Sequence, residues 1–170
     1  MGRKSKKLSR EEQAEVEEWI YQNNTEETRM TDTMTIRVKC KTENQKILVN
    51  AIKEKEVVIC SGPAGTGKTF LACAEALKLI KRNGKYKKIV IVKSVTTLKN
   101  EEIGFLKGNL REKMEPFMFS FVHNFEKIVG QSITSRLREL KTIEELPIAY
   151  MRGINLDRSI IIIDEAQNIS

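Results

Sequence analysis

Gly62-Pro-Ala-Gly-Thr-Gly-Lys-Thr69 has the spacing G-x-x-x-x-G-K-[ST], and the chemistry that such a run serves is the holding of phosphate groups. Glycines let successive backbone N–H groups turn toward phosphate oxygens, and a helix that starts where the loop ends adds the positive end of its dipole. In this reading Gly62, Pro63, Ala64, Gly65, Thr66 and Gly67 build the cradle and Lys68 sets a point charge on the outer phosphates. Thr69 offers its hydroxyl to Mg²⁺, and Phe70, the next residue, is counted with the cradle. A glycine-rich turn that merely precedes a helix is the alternative, and the agreement of eight positions with their flanking elements weighs against it.

A second candidate element lies 95 residues beyond Thr69, where Ile160-Ile-Ile-Ile163 runs into Asp164-Glu165. A buried strand can deliver a carboxylate from its C-terminal end to the rim that carries the phosphate loop. Asp164 would then hold Mg²⁺, usually through water, and Glu165 would orient and polarise the attacking water. Taken alone, an apolar run ending in two acids is also an ordinary strand-to-loop transition; the phosphate loop upstream favours function. Gln45 has two assignments. Three residues after Thr42 it closes a capping box, and its amide could instead read the edge of an adenine, as in helicases whose glutamine precedes the phosphate loop.

These residues need elements to position them. Val57 to Cys60 is a short apolar run leading into the loop, the pattern of a strand buried on both faces. Lys68 to Arg82 is alanine- and leucine-rich and helical, with Asn83-Gly84 as its stop. Ile89 to Val92 and Ile160 to Ile163 read as two further buried strands. Met34, Ile36, Val38 and Cys40 alternate with polar residues as a half-buried edge strand would, and the capping spacing at Thr42 opens a helix carrying Ile47, Leu48, Ala51 and Ile52. Met114, Phe117, Met118, Phe121, Phe125 and Ile128 give residues 110 to 129 one strongly apolar helical face, closed by Gly130. That stripe reads as core. His123, the single histidine, falls off it and reads as a surface residue. Strand, loop, helix, strand, helices and strand predict an α/β fold: a mainly parallel sheet with right-handed crossovers, flanked by helices.

Ahead of this domain, Ser9 and Glu12 have capping spacing and Val16, Trp19 and Ile20 recur at helical intervals. Residues 1–33 are therefore expected to be a charged N-terminal helix and linker, and residues 34–170 the phosphate-loop domain. The 170 residues are 40% apolar and 31% charged, with a net charge of +7, which suits a soluble globular domain. No apolar run reaches the ~18 residues of a membrane span and no signal-peptide core follows the charged start, so the expected location is cytoplasmic. Cys40, Cys60 and Cys73 lack zinc or disulfide spacing and are expected to be buried reduced thiols. Positive charge gathers at Arg3 to Arg10 and at Lys78 to Lys93, which can be solvated surface or a polyanion contact.

Lys41-Thr-Glu-Asn-Gln45, Gly62 to Thr69, Glu102-Ile-Gly-Phe-Leu-Lys-Gly108, Ala149-Tyr-Met-Arg-Gly153 and Asp164-Glu-Ala-Gln-Asn168 occur in this order, and over residues 36 to 170 the chain resembles the PhoH-like family. The resemblance implies a RecA-like ATPase similar to a superfamily 1 helicase core, linked to phosphate starvation and often carried by phages. It implies ATP and Mg²⁺ as cofactors, RNA or single-stranded DNA as partner, adenine reading by Gln45, and strand contacts from Lys93 to Thr97 and Arg152. A homo-oligomer whose neighbour completes the ATP site is compatible with it.

The chain departs from the family pattern at Lys93-Ser94, where the family usually has Arg-Pro, and at Lys107 and Asn109, where it has proline and an acid. A lysine keeps the charge of arginine but loses its planar fork. The sequence ends just after the acidic motif, where the family continues, so the expectation is a P-loop domain incomplete at its C-terminus and lacking the sensor glutamine and late arginine. Two functions follow: a Mg²⁺-dependent ATPase acting on RNA or single-stranded nucleic acid, or a nucleotide-binding module without independent hydrolysis. A small-molecule kinase is disfavoured because no acceptor pocket or arginine lid is readable.

Overall fold

The computed structural model describes residues 30–93, 110–148, 151 and 153–169, with the isolated positions Ala14, Val16 and Glu18. Those three positions are helical; the rest of the expected N-terminal helix and its linker, and the blocks at 102–108 and 149–150, lie outside the described residues, as do Ser94 to Thr97 and Arg152.

Helix α1 spans Glu43–Glu54 and begins as its sequence predicts. Thr42 has a non-helical φ of −132°, and its hydroxyl accepts a hydrogen bond from the Gln45 N–H, satisfying one of the helix's free donors. Helix α2 spans Lys68–Asn83 and stops at Gly84, whose φ of 55° is left-handed, so the Asn-Gly stop acts as expected. Its inner face buries Leu71, Cys73, Ala74, Leu77 and Ile80. Strand β1, Lys88–Lys93, follows, with Ile89 to Val92 entirely inaccessible. Helix α3, Leu110–Val129, turns Met118, Phe121, Phe125 and Ile128 into the core and leaves His123 at the surface, stacked on exposed Phe119. Helix α4, Gln131–Glu139, leads to β2, Ile143–Pro147, and β3, Ser159–Asp164, closes the sheet before a 3-10 turn at Ala166–Asn168.

The three strands are parallel in the order β2-β1-β3, with Ile89 level with Ile143 and Ile160. One core unites α2, α3, α4, β1 and β2 with Met34. This is the α/β architecture the element order predicts: a parallel sheet flanked by helices, as in P-loop NTPases.

Four local expectations need correction. Val57 to Cys60 is not a sheet strand: it has no assigned regular structure, and Val57 and Ile59 are 79% and 93% exposed. An apolar run becomes a buried strand only where a neighbour takes its ladder hydrogen bonds and layers cover both faces, and here no described strand pairs with it. For the same reason Cys60 is exposed and Cys40 half-buried, leaving Cys73 as the buried thiol. Residues 34–40 keep the alternation of burial, with Met34, Ile36 and Val38 turned to the core, yet join no sheet. Burial of these side chains holds the segment to the core, together with the hydrogen bond that Met34 O accepts from Lys81 Nζ at 2.6 Å. β3 is covered on one face, where Ile160 and Ile162 pack on the core, while Ile161 and Ile163 are 40% and 43% exposed.

β2 and α4 were not foreseen. Ile143-Glu-Glu-Leu-Pro147 shows little strand signal because two acids occupy it. The structure neutralises both: Lys88 Nζ meets Glu144 at 2.9 Å, and Arg138 grips Glu145 at two points, 2.8 and 3.1 Å, largely out of solvent.

Candidate functional site

Gly65 and Gly67 take φ of 75° and 85°, left-handed values that residues with a Cβ adopt at a cost. They give the loop its turn and bring it to the start of α2. Gly67 is the N-cap of that helix and provides no side-chain cap, so the first N–H groups of α2 are left for another acceptor. The loop from Gly62 to Thr66 is exposed, and Gly67 to Phe70 are half-buried.

Lys68 Nζ donates to the carbonyls of Gly62 and Pro63 at 2.8 and 2.7 Å, and the Thr66 hydroxyl donates to Pro63 O at 2.9 Å. The lysine thus lies across the mouth of its own loop, held by neutral acceptors that an anion would outcompete. Phe70 packs its ring against the core, so its own contribution to a ligand would come from the backbone.

The decisive distance joins the two motifs. The Thr69 hydroxyl donates to Asp164 Oδ1 at 3.3 Å across 95 residues of sequence. Topology makes this contact: β3 carries Asp164 as its last residue, level with Lys93 at the end of β1, while α2 begins at the same rim. A hydroxyl and a carboxylate so placed form an oxygen donor pair suited to a small hard cation such as Mg²⁺.

Glu165 follows in a left-handed conformation with φ of 53°, and the Gln167 amide donates to its Oε2. Non-glycine residues in this region concentrate at functional sites. The structure therefore brings Asp164 to the loop and holds Glu165 beside it.

These features assemble the phosphate loop and the acidic strand end at one rim, in the order in which the family motifs occur. The family model described as "PhoH-like protein" matches residues 37–170. This chain belongs to the PhoH-like family. It is 39% identical over 162 residues to the PhoH-like protein of Bacillus subtilis, covering 95% of this chain and 49% of that relative. The PhoH-like protein of Synechocystis is 37% identical over 131 residues, which is 77% of this chain and 39% of the relative. The protein PhoH of Escherichia coli K12 is 30% identical over 138 residues, 80% of this chain and 38% of the relative. The chain thus spans half or less of the length of these curated relatives.

Gln45, in the first turn of α1, lies against the loop, and both ends of its amide are engaged. Nε2 donates to Thr66 O at 3.1 Å, and Oε1 accepts from the Lys41 N–H at 2.6 Å. A Cβ on Gly67 would lie 3.5 Å from Nε2. Only half of the capping box forms, because the carbonyl end turns to Lys41 instead of back to Thr42. This bridge between α1 and the loop was not foreseen; the glutamine's type and spacing were the signal, and its carbonyl partner lies 21 residues away.

Cys73, one turn into α2, has its thiol pushed up to about 12 from 9.0, by burial first and then by the Asp164 carboxylate. It is an inert neighbour of the site.

Proposed function

We propose that this chain binds ATP and is a Mg²⁺-dependent ATPase that acts on RNA or single-stranded DNA. The observation that supports it most is the Thr69–Asp164 contact, which couples the phosphate loop to the acidic strand end at 3.3 Å. ATP phosphates would lie in the cradle Gly62 to Gly67, against the free N–H groups at the start of α2. Lys68 would exchange the Gly62 and Pro63 carbonyls for outer phosphate oxygens. Thr69 and Asp164 would hold Mg²⁺, Asp164 through water; when bound, the ion neutralises charge between the outer phosphates and polarises them. Glu165 would orient the attacking water and accept its proton on the acceptor sites of its carboxylate that the Gln167 amide leaves open. Gln45 would read adenine by releasing one of its two present partners.

Family membership supports this reading, as do the cations on the surface, and no described helix is long and apolar enough to cross a membrane. A cytoplasmic location and assembly into a homo-oligomer belong to the same proposal. Calorimetric titration with ATP and Mg²⁺ tests it. Saturable binding that Lys68→Ala removes is the expected result, and no binding by the intact chain sinks the proposal.

A further inference from the structure

Lys141, Lys87 and Arg158 stand side by side at the opposite rim, where the three strands begin. In the register that pairs Ile89 with Ile143 and Lys88 with Ser159, Lys87 is level with Lys141 on one side and Arg158 on the other. The backbone fixes the alignment: the Lys87 N–H donates to Arg158 O at 2.8 Å and the Ile89 N–H to Thr142 O at 2.7 Å. Adjacent strands lie about 4.8 Å apart, so the row spans about 10 Å. Lys85 is close by, its ammonium 5.2 Å from the centre of the Tyr86 ring.

Two of these cations occupy backbone that does not suit them. Lys141 and Arg158 have φ of 59° and 52°, where glycine or asparagine fits with less strain. Lys141 directly follows Leu140, the C-cap of α4, the position helices most often give to glycine. Arg158 donates to the carbonyls of Gly84 and Lys85, which locks the end of α2 but leaves its charge without a counter-charge from these partners. Of the carboxylates nearest in sequence, Glu139 is taken by Arg136 at 2.8 Å and Asp157 is exposed beside Arg158. Glu144 and Glu145 are committed to Lys88 and Arg138.

We propose that this strand-entry rim is a second polyanion site, which holds the sugar–phosphate backbone of single-stranded nucleic acid. It lies the length of a six-residue strand, about 20 Å, from the phosphate loop, so nucleotide and strand occupy opposite ends of the sheet. The proposal deepens the nucleic-acid part of the function proposed above and rests on it. A row of closely spaced cations suits a row of phosphates, whose condensed counterions are released on contact.

The test is anisotropy of a fluorescein-labelled oligo(U) 20-mer titrated with the chain across a range of KCl. Lys87→Gln/Lys141→Asn removes two charges, and asparagine accepts the left-handed backbone, so the circular-dichroism melt and the Mg²⁺-ATP affinity stay as in the wild type. Lys53→Gln/Lys55→Gln, both exposed at the end of α1, is the charge-matched control. The rim pair is expected to weaken binding roughly ten-fold at low salt and to flatten the slope of log K against log[KCl] by about 1.4, or 0.7 for each lost phosphate contact. The control leaves affinity near the wild-type value. Equal losses in both pairs, or none in the rim pair, would overturn the rim assignment while leaving nucleic-acid action intact. If the wild type binds no oligonucleotide but binds vesicles of anionic lipid, the rim assignment and the nucleic-acid reading fall together, and the ATP titration stands apart from either.

Discussion

Asp164→Asn separates the metal-holding role of this residue from its part in the fold. Without a divalent cation the change is mild, because an asparagine amide still offers an oxygen to the Thr69 hydroxyl. The hydrogen bond is 3.3 Å long in the wild type, and a neutral one contributes about 1 kcal/mol at most, so the melt should move by a few degrees or less. With Mg²⁺ present the charge matters. Opposite unit charges 4 Å apart interact by about 4 kcal/mol at an effective dielectric of 20, and a divalent ion doubles that to about 8. Hydration of both ions offsets most of it, and changes to groups one water removed from a metal typically weaken binding by about 10- to 100-fold. A fluorescent ATP analogue titrated with Mg²⁺ and again with EDTA should therefore show a loss of about that size only with Mg²⁺. Thr69→Val should produce a similar loss, and the double variant less than the sum, since both act on one ion. Equal weakening in EDTA, or no weakening in Mg²⁺, would refute the assignment of Asp164 to the metal.

Gln45→Ala frees the Thr66 carbonyl and the Lys41 N–H, and should lower stability by about 1 kcal/mol. It should also weaken ATP and GTP alike if the glutamine only braces the loop, whereas a loss confined to ATP marks base reading; parallel titrations with the two nucleotides decide. Glu145→Ala leaves Arg138 as a buried unpaired charge and should cost about 3–5 kcal/mol in a urea melt, whereas Arg138→Met/Glu145→Leu should recover most of it; equal damage from both would show that the pair is not a unit. Iodoacetamide at pH 8 should alkylate exposed Cys60 first and spare Cys73, whose thiol is pushed up to about 12, as peptide mass spectrometry would show. Because the folded chain holds that proton more tightly than the unfolded one, the contribution of Cys73 is intact below pH 9 and falls away toward pH 12. A Cys73→Ser variant should show a shallower alkaline loss.

The candidate site could be nominated from the sequence because the chemistry read into it depends on residue types at fixed spacing. Gly65, Gly67, Lys68 and Thr69 are specified by backbone freedom, charge and a hydroxyl, and they lie together where the loop runs into the start of α2. Asp164 could be placed because a parallel strand has one end facing that rim. The helices were legible where caps and stripes agreed, as at Thr42, Asn83-Gly84 and Phe121 to Ile128. Legibility failed where structure depends on distant partners. Val57 to Cys60 carries the apolar signal of a strand, but pairing is a property of two segments. β2 failed in the opposite sense: Glu144 and Glu145 hide a strand that Lys88 and Arg138 make tolerable. Gln45 shows the same limit within a site, since its spacing announced a cap while a loop carbonyl claimed its amide.

The two rims of the sheet differ in charge for a reason that begins with helix polarity. α2 starts at the phosphate loop and ends at Gly84, so its positive end faces the proposed ATP phosphates and its negative end faces the strand entries. Cations at that far rim, including Lys81 and Arg82 in the last turn and Arg158 on the carbonyls beyond it, are therefore partly explained by the helix alone. Lys81 in addition donates to Met34 O at 2.6 Å. Lys87 escapes that explanation, whereas Lys141, directly after the C-cap of α4, could answer to the negative end of that helix instead. Neither lies within a helix, and the Lys141 backbone is left-handed. Lys141→Asn consequently separates two accounts of the rim: if the lysine served only the negative end of α4, its loss would lower the melting temperature, whereas relief of left-handed strain raises or preserves it. A variant at least as stable as the wild type that nonetheless binds oligo(U) more weakly would leave ligand contact as the reason for a lysine at that position.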